Sequence, residues 1–315
     1  MLLRVSAIAD EATDIRVFEV VDPEGVDLLP FTAGSHVDVT PPGSSIRQYS
    51  LCNDPAERHR YRFAVLRETV GRGGSRLMHE RVQIGDLLQV SAPRNHFPLA
   101  ETGQRHLLIA GGIGVTPLLS MAHRLHAIGA DFVLHHCTRS PERTAFRDVL
   151  APFAEAGRVH YHHDGGDLAR GLDVAAVLAD VVPGTHVYCC GPQGLMAAVK
   201  TAAAAWPAPQ VHFEYFTPPE ALPGAAGPAG EFEVEVASTK AVYPIPAGQS
   251  ILSVLTTAGM PLDSSCEAGV CGTCRTRYLS GDVDHRDCVL TDAERGEHLM
   301  ICVSRAAHGR LVLDL

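Results

Sequence analysis

The sequence predicts a multidomain chain in which an all-β segment, an α/β segment and a short α+β segment follow one another. Three observations carry this. Residues 1–100 hold short alternating apolar runs broken by Gly, Pro, Asn and Asp. Residues 105–216 alternate strand and helix patterns. Residues 217–230, TPPEALPGAAGPAG, are Pro, Gly and Ala without periodicity and read as a linker. A length of 315 residues allows about two domains or more, and 46% apolar with 20% charged residues is globular composition.

The first segment carries RVFEV, HVDVT, YRFAVLR and LLQVSAP, whose period of two predicts a small antiparallel barrel or sandwich. In the second, RHLLIAGGIG is a buried strand entering a Gly-rich turn. The helical spacing of TPLLSMAHRLHAIG follows and stops at Gly129. DFVLHHC, RVHYHH and HVYCCGP read as further strands. TAFRDVLAPFAEAG, DVAAVLADVV and GLMAAVKTAAAAW read as helices. Strand and helix in alternation imply a parallel sheet with helices on both faces. After the linker, EFEVEVAS and KAVYPIPAG form a hairpin, QSILSVLTTAG a short helix, and a Cys-rich loop begins.

The net charge is −10, which disfavours nucleic acid. Residues 217–315 hold 13 acidic and 7 basic residues, enough to steer a basic protein partner. No apolar run approaches the roughly 20 residues that span a bilayer, and MLLRVSAIADEATD does not read as a signal peptide. A cytoplasmic chain without membrane or nucleic-acid partners is expected, with its thiols reduced. Five of the nine Cys fall between Cys266 and Cys302, a cluster that points to metal.

Cys266, Cys271 and Cys274 have the spacing C-x4-C-x2-C, and Cys302 follows after 27 intervening residues. This is the plant-type ferredoxin spacing of a 2Fe–2S cluster. A structural zinc site would normally pair two C-x2-C knuckles, and only one is present. Gly269 and Gly272 let the loop fold tightly so that its amides point at the sulfurs.

AGGIGVTP, with Gly111, Gly112, Gly114, Thr116 and Pro117, closes a strand and opens a helix, a setting whose free amides suit a pyrophosphate. CCGPQGLM, with Cys190, Gly191 and Pro192, does the same after a later strand. Each turn alone is as readily a tight connection; together they indicate a nicotinamide dinucleotide site. In RQYSLCN, Arg47, Tyr49 and Ser50 could hold a flavin, although alone the stretch is an ordinary strand. GRGGSRLMHE adds Gly73, Gly74 and Ser75 before a helix-like run, a second anion-binding turn.

RQYSLCN, GRGGS, AGGIGVTPLLSM, CCGPQGLM and CEAGVCGTC with a distal Cys occur in one order that resembles the phthalate dioxygenase reductase and vanillate O-demethylase reductase family over essentially the whole chain. The resemblance implies an antiparallel β-barrel flavin domain (1–102), an α/β parallel-sheet NAD-binding domain (103–226) and an α+β β-grasp ferredoxin domain (227–315). It implies FMN on Arg47, Tyr49 and Ser50, along Ala64, Val65 and Leu66, and at the phosphate turn Arg72, Gly73, Gly74 and Ser75. Thr116 then stands where nicotinamide meets flavin, Cys190 beside the nicotinamide, and Phe216 over the flavin, with Phe213 a nearby alternative. Cys266, Cys271, Cys274 and Cys302 become the cluster ligands. Arg139, Ser140, Glu142 and Arg143 occupy the ribose region. There an acidic residue favours NADH and an Arg could take a 2′-phosphate; the resemblance implies NADH over NADPH.

The implied activity is an NADH-dependent reductase. Electrons pass to FMN, then to the 2Fe–2S cluster, then to a terminal oxygenase, either a Rieske non-haem iron oxygenase of aromatic catabolism or a haem-thiolate monooxygenase. A stand-alone flavin or ferric reductase is the alternative. The alternating His160, His162 and His163 of VHYHHD could make a metal face, but no second ligand motif accompanies them.

Overall fold

The computed structural model describes residues 1–43, 46–69, 73–217, 230–264 and 266–315, and the chain forms two compact units, Met1–Glu214 and Tyr215–Leu315. Most of the predicted linker lies outside the described residues.

The first unit begins with six strands: β1 (Leu2–Ala12), β2 (Ile15–Val21), β3 (His36–Thr40), β4 (Arg47–Ser50), β5 (Tyr61–Leu66) and β6 (Leu87–Val90), with helix α1 (Gly74–Arg81) between the last two. They pair antiparallel in the order β4-β3-β6-β1-β2-β5. A bridge from Leu51 to Phe63 returns the last strand to the first, with the Cys52 amide donating to the Arg62 carbonyl at 2.9 Å. The edges are thereby joined, and the expected choice between barrel and sandwich resolves as a barrel. Leu3, Val5, Phe18, Val20, Val37, Val39, Phe63 and Val65 fill it. The β1 strand, which sequence periodicity did not mark, sits at the sheet centre.

The remainder of this unit comprises β7 (Arg105–Gly111), α2 (Val115–Ala127), β8 (Asp131–Thr138), α3 (Arg147–Glu155), β9 (Val159–His163), α4 (Val174–Val177), β10 (Thr185–Cys190), α5 (Gln193–Ala202) and β11 (Val211–Glu214). The five strands are parallel in the order β11-β10-β7-β8-β9. Chain order reverses between β7 and β10, and such sheets bind ligands at the carboxyl ends of the strands flanking that switch point. Leu118 and Leu119 of α2 and Leu150 and Phe153 of α3 bury the face bearing Leu108, Phe132 and Leu134. Met196 of α5 meets Cys189 on the opposite face. The predicted helix DVAAVLADVV is shorter than expected, a single turn capped by Asp173. Pro183 biases Val182 toward extended backbone, and the Trp206 indole satisfies the Leu178 carbonyl at 3.0 Å.

The second unit contains β12 (Phe232–Val236), β13 (Val242–Ile245), α6 (Ile251–Thr257), β14 (Arg275–Asp284), α7 (Asp292–Arg295), β15 (His298–Met300) and β16 (Arg305–Leu313). The order β13-β12-β16-β14-β15 places the C-terminal strand beside the first, in parallel, with α6 packed on the sheet. This is the expected β-grasp. Pro244 is tolerated because β13 is an edge strand.

Candidate functional site

The barrel brings the two flavin motifs together. Gly74 opens α1 directly against Arg47 of β4: a Cβ at position 74 would stand 2.5 Å from the Arg47 Nε. Gly73 before it is left-handed (φ 81°), which turns the chain into the helix. Arg72 lies outside the described residues. Ser75 uses its hydroxyl to accept from the Glu68 amide at 3.2 Å, and so anchors the turn. Tyr49 stacks on Phe63 (centroids 5.2 Å, 11°), and its buried Oη has no hydrogen-bond partner among the described residues. Burial raises that phenol above the usual tyrosine range. A guanidinium, a helix start cleared by glycine and an unused buried hydroxyl fit a phosphate-bearing ring ligand such as FMN.

Strand parity decides which part of β5 can face that ligand. The amide and carbonyl of Arg62 point to Asn53 and Cys52, whereas the Arg67 amide points to Asp14 beside β2. Backbone groups alternate sides along a strand. Ala64 and Leu66 therefore direct theirs to the β4 side, beyond the Leu51–Phe63 bridge, while Val65 is turned toward β2. Of the three expected backbone contacts, the geometry favours Ala64 and Leu66. Ser50 is buried beside them, opposite His36.

The two glycine turns meet at the switch point. A Cβ on Gly191 would lie 2.8 Å from the Gly111 Cα, and one on Gly114 would run into the Cys190 carbonyl. These glycines let two backbones touch; only Gly112, left-handed at φ 52° with open space around it, has the freedom expected of a ligand cradle. Thr116 is buried and donates its hydroxyl to the Ile113 carbonyl at 3.0 Å, which fixes the turn. Pro192 and Arg139 are exposed at the ends of β10 and β8. Ala64 of the barrel shares one buried cluster with Ala110, Val115 and Leu118, so flavin slot and glycine turns adjoin.

Two residues at this switch point escaped the sequence reading. Glu214 pairs in register with Cys190, its Oε2 is buried without a partner among the described residues, and burial lifts its carboxyl to about 8. Burial, and then the neighbouring Glu214, pushes the Cys190 thiol well above its ordinary range, so it is a neutral thiol. His136, lowered to about 4 by burial, is neutral and holds the Gly112 carbonyl through Nε2 at 3.2 Å. No motif flags either residue; only strand register could have done so. Phe216 follows β11 and is 45% exposed.

In the second unit the cysteines form two sulfur pairs. The Cys266 thiol donates to Cys271 and holds it below the usual thiol range, and Cys302 does the same for Cys274. Amides of Ala268 and Val270 reach the Cys266 sulfur, that of Thr273 reaches Cys271, and that of Gly269 reaches Cys302. Two pairs of cysteine sulfurs suit two iron ions, each taking two protein ligands, better than one zinc taking four. Among the described residues no three His, Cys, Asp or Glu converge on a single ion. That includes the histidine face, where His162 is joined to His135 by a 3.0 Å hydrogen bond.

Comparison with known proteins agrees with this geometry. Residues 234–307 match the 2Fe-2S iron-sulfur cluster binding domain and residues 108–201 the oxidoreductase NAD-binding domain. The chain is thus an iron–sulfur oxidoreductase with an NAD-binding domain. It is 48% identical to the tert-butanol monooxygenase / tert-amyl alcohol desaturase reductase subunit of Aquincola tertiaricarbonis, over 99% of this chain and 95% of that one. The solved phthalate dioxygenase reductase, described as a modular structure for electron transfer from pyridine nucleotides to [2Fe-2S], is 45% identical with TM-score 0.75, over 100% of this chain and 98% of that one. An intact type IV self-sufficient cytochrome P450 monooxygenase matches with TM-score 0.89 and 39% identity, over 100% of this chain and 41% of that one. The chain belongs to the phthalate dioxygenase reductase family, whose members include reductase subunits of oxygenase systems.

Proposed function

We propose that the chain divides into domains at 1–102, 103–226 and 227–315, and that it oxidises NADH and delivers the electrons singly to a terminal oxygenase. FMN and a 2Fe–2S cluster supply, when bound, the conversion from hydride to single electrons. Arg47 and the start of α1, with Arg72, Gly73, Gly74 and Ser75, bind the flavin phosphate. Tyr49, Ser50, Ala64 and Leu66 orient the ring. Gly112 admits the pyrophosphate, Thr116 holds the turn, and Cys190 with Glu214 packs the nicotinamide against the flavin slot. Phe216 covers the flavin face when nicotinamide is away. Arg139 meets the adenosine ribose, with NADH the substrate rather than NADPH. Hydride delivery asks no side chain to carry a proton, consistent with a neutral Cys190. Cys266, Cys271, Cys274 and Cys302 hold the cluster.

The observation that carries this reading is the buried cluster joining Ala64 to Ala110 and Val115, which sets flavin slot and nicotinamide turn side by side. The proposed partner is a Rieske non-haem iron oxygenase, supported by the similarity to phthalate dioxygenase reductase and vanillate O-demethylase oxidoreductase. The likeness of the whole chain to 41% of a self-sufficient cytochrome P450 monooxygenase supports a haem-thiolate partner as second reading. An aromatic acid or aryl ether is the proposed substrate of the oxygenase. No helix among the described residues is long and apolar enough to cross a membrane, and a cytoplasmic location is proposed.

Titrating purified protein with NADH under argon tests the reading. Flavin and iron–sulfur absorption should both bleach. A cluster that stays oxidised after the flavin is reduced would overturn it.

A further inference from the structure

Behind the cysteine loop lies a buried charge with no evident place in the sequence motifs. The Asp287 side chain is wholly excluded from solvent. Its Oδ2 accepts from the Val289 and Leu290 amides at 3.2 and 2.9 Å, which folds residues 287–290 into a turn. Arg295 donates to the Asp287 main-chain carbonyl at 2.9 Å and stands 3.7 Å from Oδ2. His285 stands 3.8 Å from Oδ1, and Oδ1 has no hydrogen-bond partner among the described residues.

This turn abuts the loop between Cys266 and Cys271. The Cys288 amide donates to the Gly269 carbonyl at 3.2 Å, and a Cβ on Gly269 would stand 3.3 Å from the Asp287 Cα. The next residue back, Arg286, donates its amide to the Ser304 hydroxyl at 3.4 Å, two positions beyond Cys302. Gly269 is the residue whose amide reaches the Cys302 sulfur.

We infer that Asp287 is a positioning residue for the iron–sulfur loop: it folds the turn that clamps Gly269 and sets a buried negative charge behind the ligands. The inference rests on the reading that these four cysteines hold a 2Fe–2S cluster. A buried carboxylate that accepts two amides is costly to remove, because both amides are then left unpaired. A negative charge close to a redox centre opposes the electron it takes up, in an interior that screens charge poorly.

The test uses the full-length protein loaded with flavin and cluster, as wild type, Asp287→Asn and Asp287→Ala. Two properties are read: the rate at which the iron–sulfur bands decay in anaerobic chelator, and the cluster midpoint potential from an EPR-monitored titration, with the flavin potential as control. Asp287→Ala should lose its cluster about tenfold faster. Asp287→Asn still accepts both amides, so it should keep its cluster at the wild-type rate while the cluster midpoint moves positive and the flavin midpoint does not. If Asp287→Ala does not fold, the Asp287→Asn midpoint decides. A loaded wild type with an unshifted Asp287→Asn midpoint, or with an Asp287→Ala cluster as durable as its own, overturns this inference alone. A wild type that binds no cluster after reconstitution overturns the underlying reading with it.

Discussion

Arg47 and Gly74, 27 positions apart in sequence, touch so closely that a single methyl group at position 74 would stand 2.5 Å from the Arg47 Nε. The contact sets the R-x-Y-S strand against the Gly73–Gly74 helix start, the arrangement that the proposed flavin phosphate site requires. Gly74→Ala should displace the guanidinium and weaken FMN binding about tenfold or more, the scale of a charge-assisted phosphate contact. Position 74 lies in a helix and lacks a positive φ, so apoprotein stability should hold or rise by up to about 1 kcal/mol. Flavin affinity by fluorescence and apoprotein melting separate the two effects.

The glycine turns predict a contrast. Gly191 meets the backbone of Gly111, which cannot yield, so Gly191→Asn should destabilise by about 2 kcal/mol. Gly112 needs a left-handed backbone but has room, and Asn tolerates that conformation, so Gly112→Asn should cost less than about 1 kcal/mol. Urea denaturation of the two variants checks the order.

Glu214 gives a pH dependence with a definite sign. Its carboxyl lies near 8 in the fold against 4.5 for an ordinary glutamate. Below pH 4.5 both states are protonated and it contributes no slope. Between 4.5 and 8 the folded state holds a proton that the unfolded chain has lost, so its contribution falls as pH rises. Glu214→Gln should therefore gain stability relative to wild type across that window, by roughly 1–3 kcal/mol above pH 8, and gain little at pH 4. Paired denaturation curves at several pH values measure it.

What the sequence revealed and what it hid divide along physical lines. C-x4-C-x2-C with its distal Cys is local chemistry, and HVDVT or DFVLHHC are local periodicities; both were legible and both lie where expected. Glu214 was not, because a glutamate in HFEYF looks like any surface residue until β11 is laid beside β10. The pairing of β12 with β16 spans most of the second unit, and nothing local announces it. Gly111, Gly114 and Gly191 were legible as glycines but not in purpose: they let two turns pack backbone to backbone. DVAAVLADVV has helical spacing, yet the chain leaves the helix after one turn on its way to Pro183.

The second unit carries most of the chain's net negative charge, with 13 acidic against 7 basic residues over 217–315. Docking to the oxygenase should be electrostatic. Reductase-dependent oxygenase turnover should fall as salt rises past about 0.1 M, where the Debye length shrinks below about 10 Å. Turnover measured from low to high salt tests this, and a flat profile would contradict it.

Electrons from NADH should reach the Cys266–Cys302 centre only by way of the flavin slot at Arg47 and Ala64. Mixing cluster-loaded protein with one equivalent of NADH under argon, with and without FMN, and freezing for EPR tests it most directly. A reduced 2Fe–2S signal should appear within turnover time when FMN is bound, and none on that timescale when it is absent. An equally rapid signal in flavin-free protein, or none in the fully loaded protein, would contradict it.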